Sequence, residues 1–309
     1  MRLFRTLLIS LLAVATGLTA VATGAFASSR HVAAPKAAKS ITIGYEDFPE
    51  EQVMADMYGD LLSKVGYSVK YQSSGARSSA IAALEAGKID LLPEYAGSLL
   101  VFLNSKDTVQ AGKLTTAESA LNSILGKKSV AALPGAAALD QNVFAVTKAT
   151  ATADHLTTLS SLKADAGKFV FAAPPECSTN YFCAPGLKKV YGIKFKSLKS
   201  YDEGGPLTVQ ALKTGQAQVA ELFSTGGADT PAHQGFVQLT DNLNLEPADH
   251  LIPVVRTSFD TAAVRSALAK INTDLTTNAL EQMELAMGTG THPSAATVAA
   301  GFLAAEHIS

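Results

Sequence analysis

The chain has no tryptophan, and only two cysteines among its 309 residues. Charge is also sparse: 17% of residues are charged and the formal net charge is −2. There is no basic field to hold nucleic acid and no acidic tail. Without tryptophan, the 8 tyrosines and 13 phenylalanines must supply any aromatic contacts to a ligand. Cys177 and Cys183 are too few for a structural zinc site, and neither a C-x-x-C pair nor a histidine pair lies beside them. The six histidines are scattered, and H-E-x-x-H, G-x-S-x-G and G-x-G-x-x-G are all missing. LGKKS, 125–129, is similar to the end of a phosphate loop, but Leu121 stands where the upstream glycine belongs. The expectation is a protein without catalytic activity, metal or cofactor.

What is present is a globular composition, 47% hydrophobic and long enough for two domains. The N-terminus carries Arg2 and Arg5, then a nearly continuous apolar run over 6–23, then Ala25-Phe26-Ala27. That order reads as a secretory leader, 1–27, removed before Ser28; a membrane anchor is the alternative. Residues 28–40 read as a disordered lead-in. No cysteine lies near the cleavage point, so a lipid anchor is excluded, and the mature chain is expected in the periplasm or secreted. In an oxidising compartment Cys177 and Cys183 are expected to join, contributing roughly 2 kcal/mol by loop closure; two free thiols are the alternative.

The pattern then alternates strand and helix. ITIGY alternates as a strand over 41–45. Val53, Met54, Met57, Tyr58, Leu61, Leu62 and Val65 recur at helical spacing until Gly66. YSVKYQ is a strand, SSAIAALEAG a helix, and IDLL a strand that stops on Pro93, just before Glu94 and Tyr95. The second half repeats the plan: FVFAA, a helix carrying GLKKVYG, FKSLKSY, a helix over LTVQALKTG, and AQVAELF. A shift of 128 positions sets ALEAGKIDL on ALKTGQAQV and Tyr95 on Phe223. The fold expected is α/β, two lobes each with a mainly parallel sheet. Lobe 1 is assigned 41–145 and 250–309, and lobe 2 is assigned 146–249. Two crossings, near 141–156 and 245–258, form a hinge, and the helical tail 259–306 packs on lobe 1. Ligands in such sheets sit beyond the carboxyl ends of strands, so Tyr95 and Phe223 are expected on opposite walls of one cleft.

Five stretches carry a family likeness: ITIGYEDFPEEQ, ALEAGKIDLLPEYAG, PPECSTNYFCAPGLKKVYGIKFKS, GGPLTVQALKTG and IPVVRTS. With them the chain resembles the substrate-binding proteins of osmoprotectant ABC transporters, the glycine betaine/carnitine/choline class, from Ile41 into the tail. The resemblance implies a type II periplasmic-binding fold, acting as a monomer, that traps a small solute between lobes and delivers it to a membrane permease. It also implies a box of aromatic rings holding a quaternary ammonium by cation–π attraction, each contact worth roughly 0.5–2 kcal/mol.

Carried across, Tyr95 matches one box position. Phe144 and Phe223 fall where tyrosines are usual, and Val209 falls where another aromatic is often found. Glu46 and Glu51 align with family positions that hold a carboxylate with Lys and Gln, and Arg77 is the remaining nearby cation. This acidic first loop disfavours glycine betaine. It favours a cation without a carboxylate, such as choline, or a neutral polyol or aromatic solute; a module that binds a protein partner is a further alternative. Glu50 and Glu51 read as charges complementing the helix dipole. Tyr45, Asn142, Ser224 and Thr225 complete the ligand set, with Asp140, Gln141 and Glu176 as polar neighbours.

Overall fold

The computed structural model describes residues 39–104, 113–288 and 293–309. The leader at 1–27, nearly all of the lead-in, and two of the six histidines, His31 and His292, lie outside the described residues. Among the described residues no helix is long and apolar enough to cross a membrane.

Among the described residues ten strands form two five-stranded sheets. The first contains β1 (Lys39–Tyr45), β2 (Tyr67–Ser73), β3 (Leu91–Tyr95), β4 (Val130–Ala132) and β10 (Leu251–Arg256). The second contains β5 (Asn142–Val146), β6 (Val170–Ala173), β7 (Ser197–Ser200), β8 (Val219–Phe223) and β9 (Val237–Leu239). Their orders, β2-β1-β3-β10-β4 and β7-β6-β8-β5-β9, correspond strand for strand. In each sheet one strand opposes the rest: β10 is antiparallel to β3 and β4, and β5 to β8 and β9. The offset of 128 residues read from the sequence superposes β3 on β8 end to end.

The opposed strands are the first elements after each crossing. Asp140 N–H donates to Asp249 O at 3.0 Å, so the two crossings pair with each other. β5, Asn142–Val146, belongs to the second sheet. Leaving the first sheet, the chain pairs at once along β8, and that ladder begins at Asn142.

Helix α1 (Pro49–Lys64) starts on its proline, buries Val53, Met54, Met57, Tyr58, Leu61 and Leu62 beneath the first sheet, and is closed by Gly66 at φ 92°. The tail helices Ala262–Leu268, Thr277–Gly288 and Ala295–Ala305 contribute Val264, Leu268, Leu280, Met283 and Leu303 to the same core, as expected. β3 runs through Pro93 instead of ending on it. Pro93 faces Pro253 in β10, a position where neither strand needs an N–H for the ladder. GLKKVYG carries a short helix, Ala184–Gly186 in α geometry continuing as a π-helical turn over Leu187–Tyr191. Gly186 lies so close to Tyr181 O that a Cβ would sit 2.0 Å from it, and the following turn closes at Gly192, φ 70°.

Candidate functional site

A cavity of about 670 Å³ opens where the carboxyl ends of β1 and β3 meet those of β6, β7 and β8. Its size is that of a small-molecule site. Tyr95 and Phe223, the last residues of the corresponding strands β3 and β8, both line it. Phe223 meets Phe48 edge-on at 6.1 Å between centroids, so a ring from the loop after β1 touches a ring from the second sheet. Gly204, at φ 68°, leaves room for Phe223; a Cβ there would lie 2.9 Å from the ring. Helix α2 (Arg77–Glu85) opens at the cavity wall, and helix α3 (Ala96–Leu103) continues directly from Tyr95 and supplies Ser98 and Phe102.

Acidic groups dominate the lining. Among the described residues Glu46, Asp47, Glu50, Asp140, Glu176, Glu203 and Glu221 face the cavity, against one basic residue, Arg77. That guanidinium is already engaged. Its Nε reaches both oxygens of the fully buried Glu94 at 3.0 and 3.1 Å, and Glu46 Oε1 lies 3.8 Å away. Glu94 also accepts the Tyr95 N–H at 2.9 Å, which fixes the backbone where strand turns to helix. The Tyr95 hydroxyl donates to Glu50. Glu51 accepts the Glu46 N–H at 2.6 Å.

Burial is the first cause of the perturbed acidities here. Glu46 is pushed up to about 8 by burial and by Glu94, with Arg77 opposing. Glu50 rises to about 8 through burial and Asp140, with the Tyr95 hydroxyl opposing. Glu221 rises to about 8 through burial and Glu176. Geometry agrees for Glu221, whose Oε2 lies 2.8 Å from Cys183 Sγ. Cys183 is joined to Cys177, so its sulfur carries no hydrogen, and the proton for that contact is the carboxyl's own. Among the described residues the one grouping of three metal-donor side chains is Cys177, Cys183 and Glu221, and both its sulfurs are held in the disulfide.

The sequence-derived candidates divide. Glu46, Arg77, Tyr95, Asn142 and Phe223 line the cavity, as do Asp140, Gln141 and Glu176. Tyr45, Phe144, Ser224 and Thr225 do not. Tyr45 packs on the hydrophobic core around α1. Phe144 is a core residue, 1% exposed and 6.0 Å from the Phe171 ring, because its face of β5 is covered. Ser224 Oγ and the Thr225 N–H donate to Asp140 Oδ1 at 2.9 and 3.2 Å, so they hold the crossing from behind. Val209 is buried with Ala220 and Leu222 and supplies no wall of the cavity. Glu50 and Glu51 are not solvated helix-dipole charges: they are 5% and 0% exposed.

Phe48, Ser98, Phe102, Tyr181, Phe182 and Glu221 were missed. The one signal available was the aromatic pair of NYF, enclosed by the two cysteines. In the structure the disulfide closes the loop that presents both rings, which meet edge-on at 5.4 Å.

The family described as the substrate binding domain of ABC-type glycine betaine transport systems matches residues 39–305. The chain belongs to this family, whose members are the solute-binding components of ABC transporters. Among solved structures, a glycine betaine/carnitine/choline ABC transporter protein matches with a TM-score of 0.68 at 21% identity, over 88% of this chain and 99% of that one. YehZ from Escherichia coli, in its apo form, matches at 0.63 and 23%, over 88% and 100%. An ABC-transporter choline-binding protein in complex with choline matches at 0.60 and 13%, over 86% and 89%. At these identities the likeness establishes the fold, the two-lobed type of periplasmic binding proteins. No curated sequence matches the chain.

Proposed function

We propose that this protein is the extracytoplasmic solute receptor of an ABC importer and that it captures a small organic cation lacking a carboxylate, with choline as the reference solute. The observation that carries this is the acidic lining of the cavity: among the described residues seven carboxyl groups face one guanidinium, which the buried Glu94 already pairs. A methylated ammonium cannot donate hydrogen bonds, so the faces of Tyr95, Phe223 and Phe48 hold it while the surrounding acids supply long-range attraction. On the described lining the carboxylate of glycine betaine would meet no free cation to receive it. A neutral polyol would gain nothing from the acids that ionise.

In this reading the leader is cleaved, the mature chain is a monomer in the periplasm or the medium, and no reaction is catalysed. The two sheets form lobes that close on the solute and present it to the permease. Rings and carboxyls at strand ends are preorganised, and the Cys177–Cys183 link reduces the ordering cost of the loop bearing Tyr181 and Phe182. Thermal unfolding with choline and with glycine betaine tests the proposal. Choline at 100 times its Kd should stabilise the protein by roughly 2.7 kcal/mol, and glycine betaine at the same concentration by much less. A larger shift with glycine betaine, or no shift with any solute, contradicts it.

A further inference from the structure

The acidic groups are divided between two walls. Glu46, Asp47 and Glu50 come from the loop after β1 and the first turn of α1; Glu176, Glu203 and Glu221 come from the ends of β6, β7 and β8. The walls sense each other: Glu203 acts on Glu50, and Asp47 on Glu203. Arg77 is bound on the first wall, so the second has no basic residue on the cavity lining. Lys189 sits over the Tyr181 ring at 5.1 Å and does not line the cavity.

A single quaternary head group answers one wall only. It also brings no N–H to carboxylates, which in their ionised form are pure acceptors. On the basis of the receptor reading above, we infer that the preferred solute is an organic dication of the aliphatic diamine class, with one ammonium against each acidic wall. Each primary ammonium carries three donors, enough to satisfy more than one carboxylate. Phe48, Phe182 and Phe223 supply the apolar surface against which a methylene chain loses water. The cavity of about 670 Å³ has room for a chain of that length.

Calorimetry on the mature chain with putrescine, cadaverine and choline, and with calcium chloride as a control, tests the inference. At least one diamine should bind about tenfold more tightly than choline. Glu203→Gln and Glu176→Gln, both at exposed positions, should each lower the ratio of diamine to choline affinity about fivefold or more. Choline binding as tightly as either diamine overturns the inference and leaves the receptor reading intact. Failure of choline and both diamines to bind overturns both. Equal losses for the two solutes in the variants remove the second wall from recognition. Calcium reproducing the diamine's affinity makes the site one for an inorganic cation and also overturns it.

Discussion

Arg77→Met should destabilise the protein by about 3–5 kcal/mol at neutral pH, although its side chain is 22% exposed and lies at the edge of a ligand cavity. Removing the guanidinium leaves Glu94, 0% exposed, without the charge that both its oxygens contact, and takes from Glu46, 3% exposed, the cation 3.8 Å away. The comparison with Arg77→Lys is informative. Lysine restores the charge but not the planar donor geometry, so recovery should be partial. Pairing Arg77→Met with Glu94→Gln should return part of the loss, because the uncompensated carboxylate is then gone. Urea unfolding at pH 7.5 measures all three. A loss below about 1 kcal/mol for Arg77→Met would mean that the ion pair is an ordinary surface contact.

The second large effect is on pH. In the absence of solute, stability should be greatest near pH 5 and fall steadily towards pH 8. Glu46, Glu50 and Glu221 ionise at 4.5 in the unfolded chain and at about 8 in the native one. Between those values the native state keeps protons that the unfolded state has lost. Each kept proton therefore makes stability fall as pH rises through that window. Below 4.5 both states are protonated and the slope vanishes; above about 8 both are ionised and it vanishes again. A bound cation reverses the balance, since it favours the ionised acids, so solute affinity should rise from pH 6 to pH 8. Melting temperatures at pH 5, 6.5 and 8, with and without choline, measure both trends. A solute-free protein equally stable at all three values would show that these acids are not held neutral.

The architecture was legible because both sheets are written in the same order of strand and helix, and because Tyr95 and Phe223 terminate the matching strands β3 and β8. The position of Glu46 and Arg77 beside the cavity could be read for the same reason: both follow strand ends. Phe144 could not. Val143 and Ala145 pack on one core and Phe144 and Val146 on another, so β5 has no polar face from which its direction could be told. The passage of β3 through Pro93 depends on Pro253, a strand partner far along the chain, and nothing local signals it. Phe48, Tyr181 and Phe182 lie on loops, where the direction of a side chain is set by what packs behind it. For the second pair that support is the disulfide and the close approach at Gly186. The burial of Glu50 and Glu51 was hidden because acids in a first helical turn ordinarily face water.

The most direct measurement is a crystal structure grown with choline. The account predicts a cation enclosed between the rings of Tyr95 and Phe223, the two sheets drawn together over it, and no protein cation beside it. A solute bound elsewhere, or these rings facing away from an empty cleft, would contradict it.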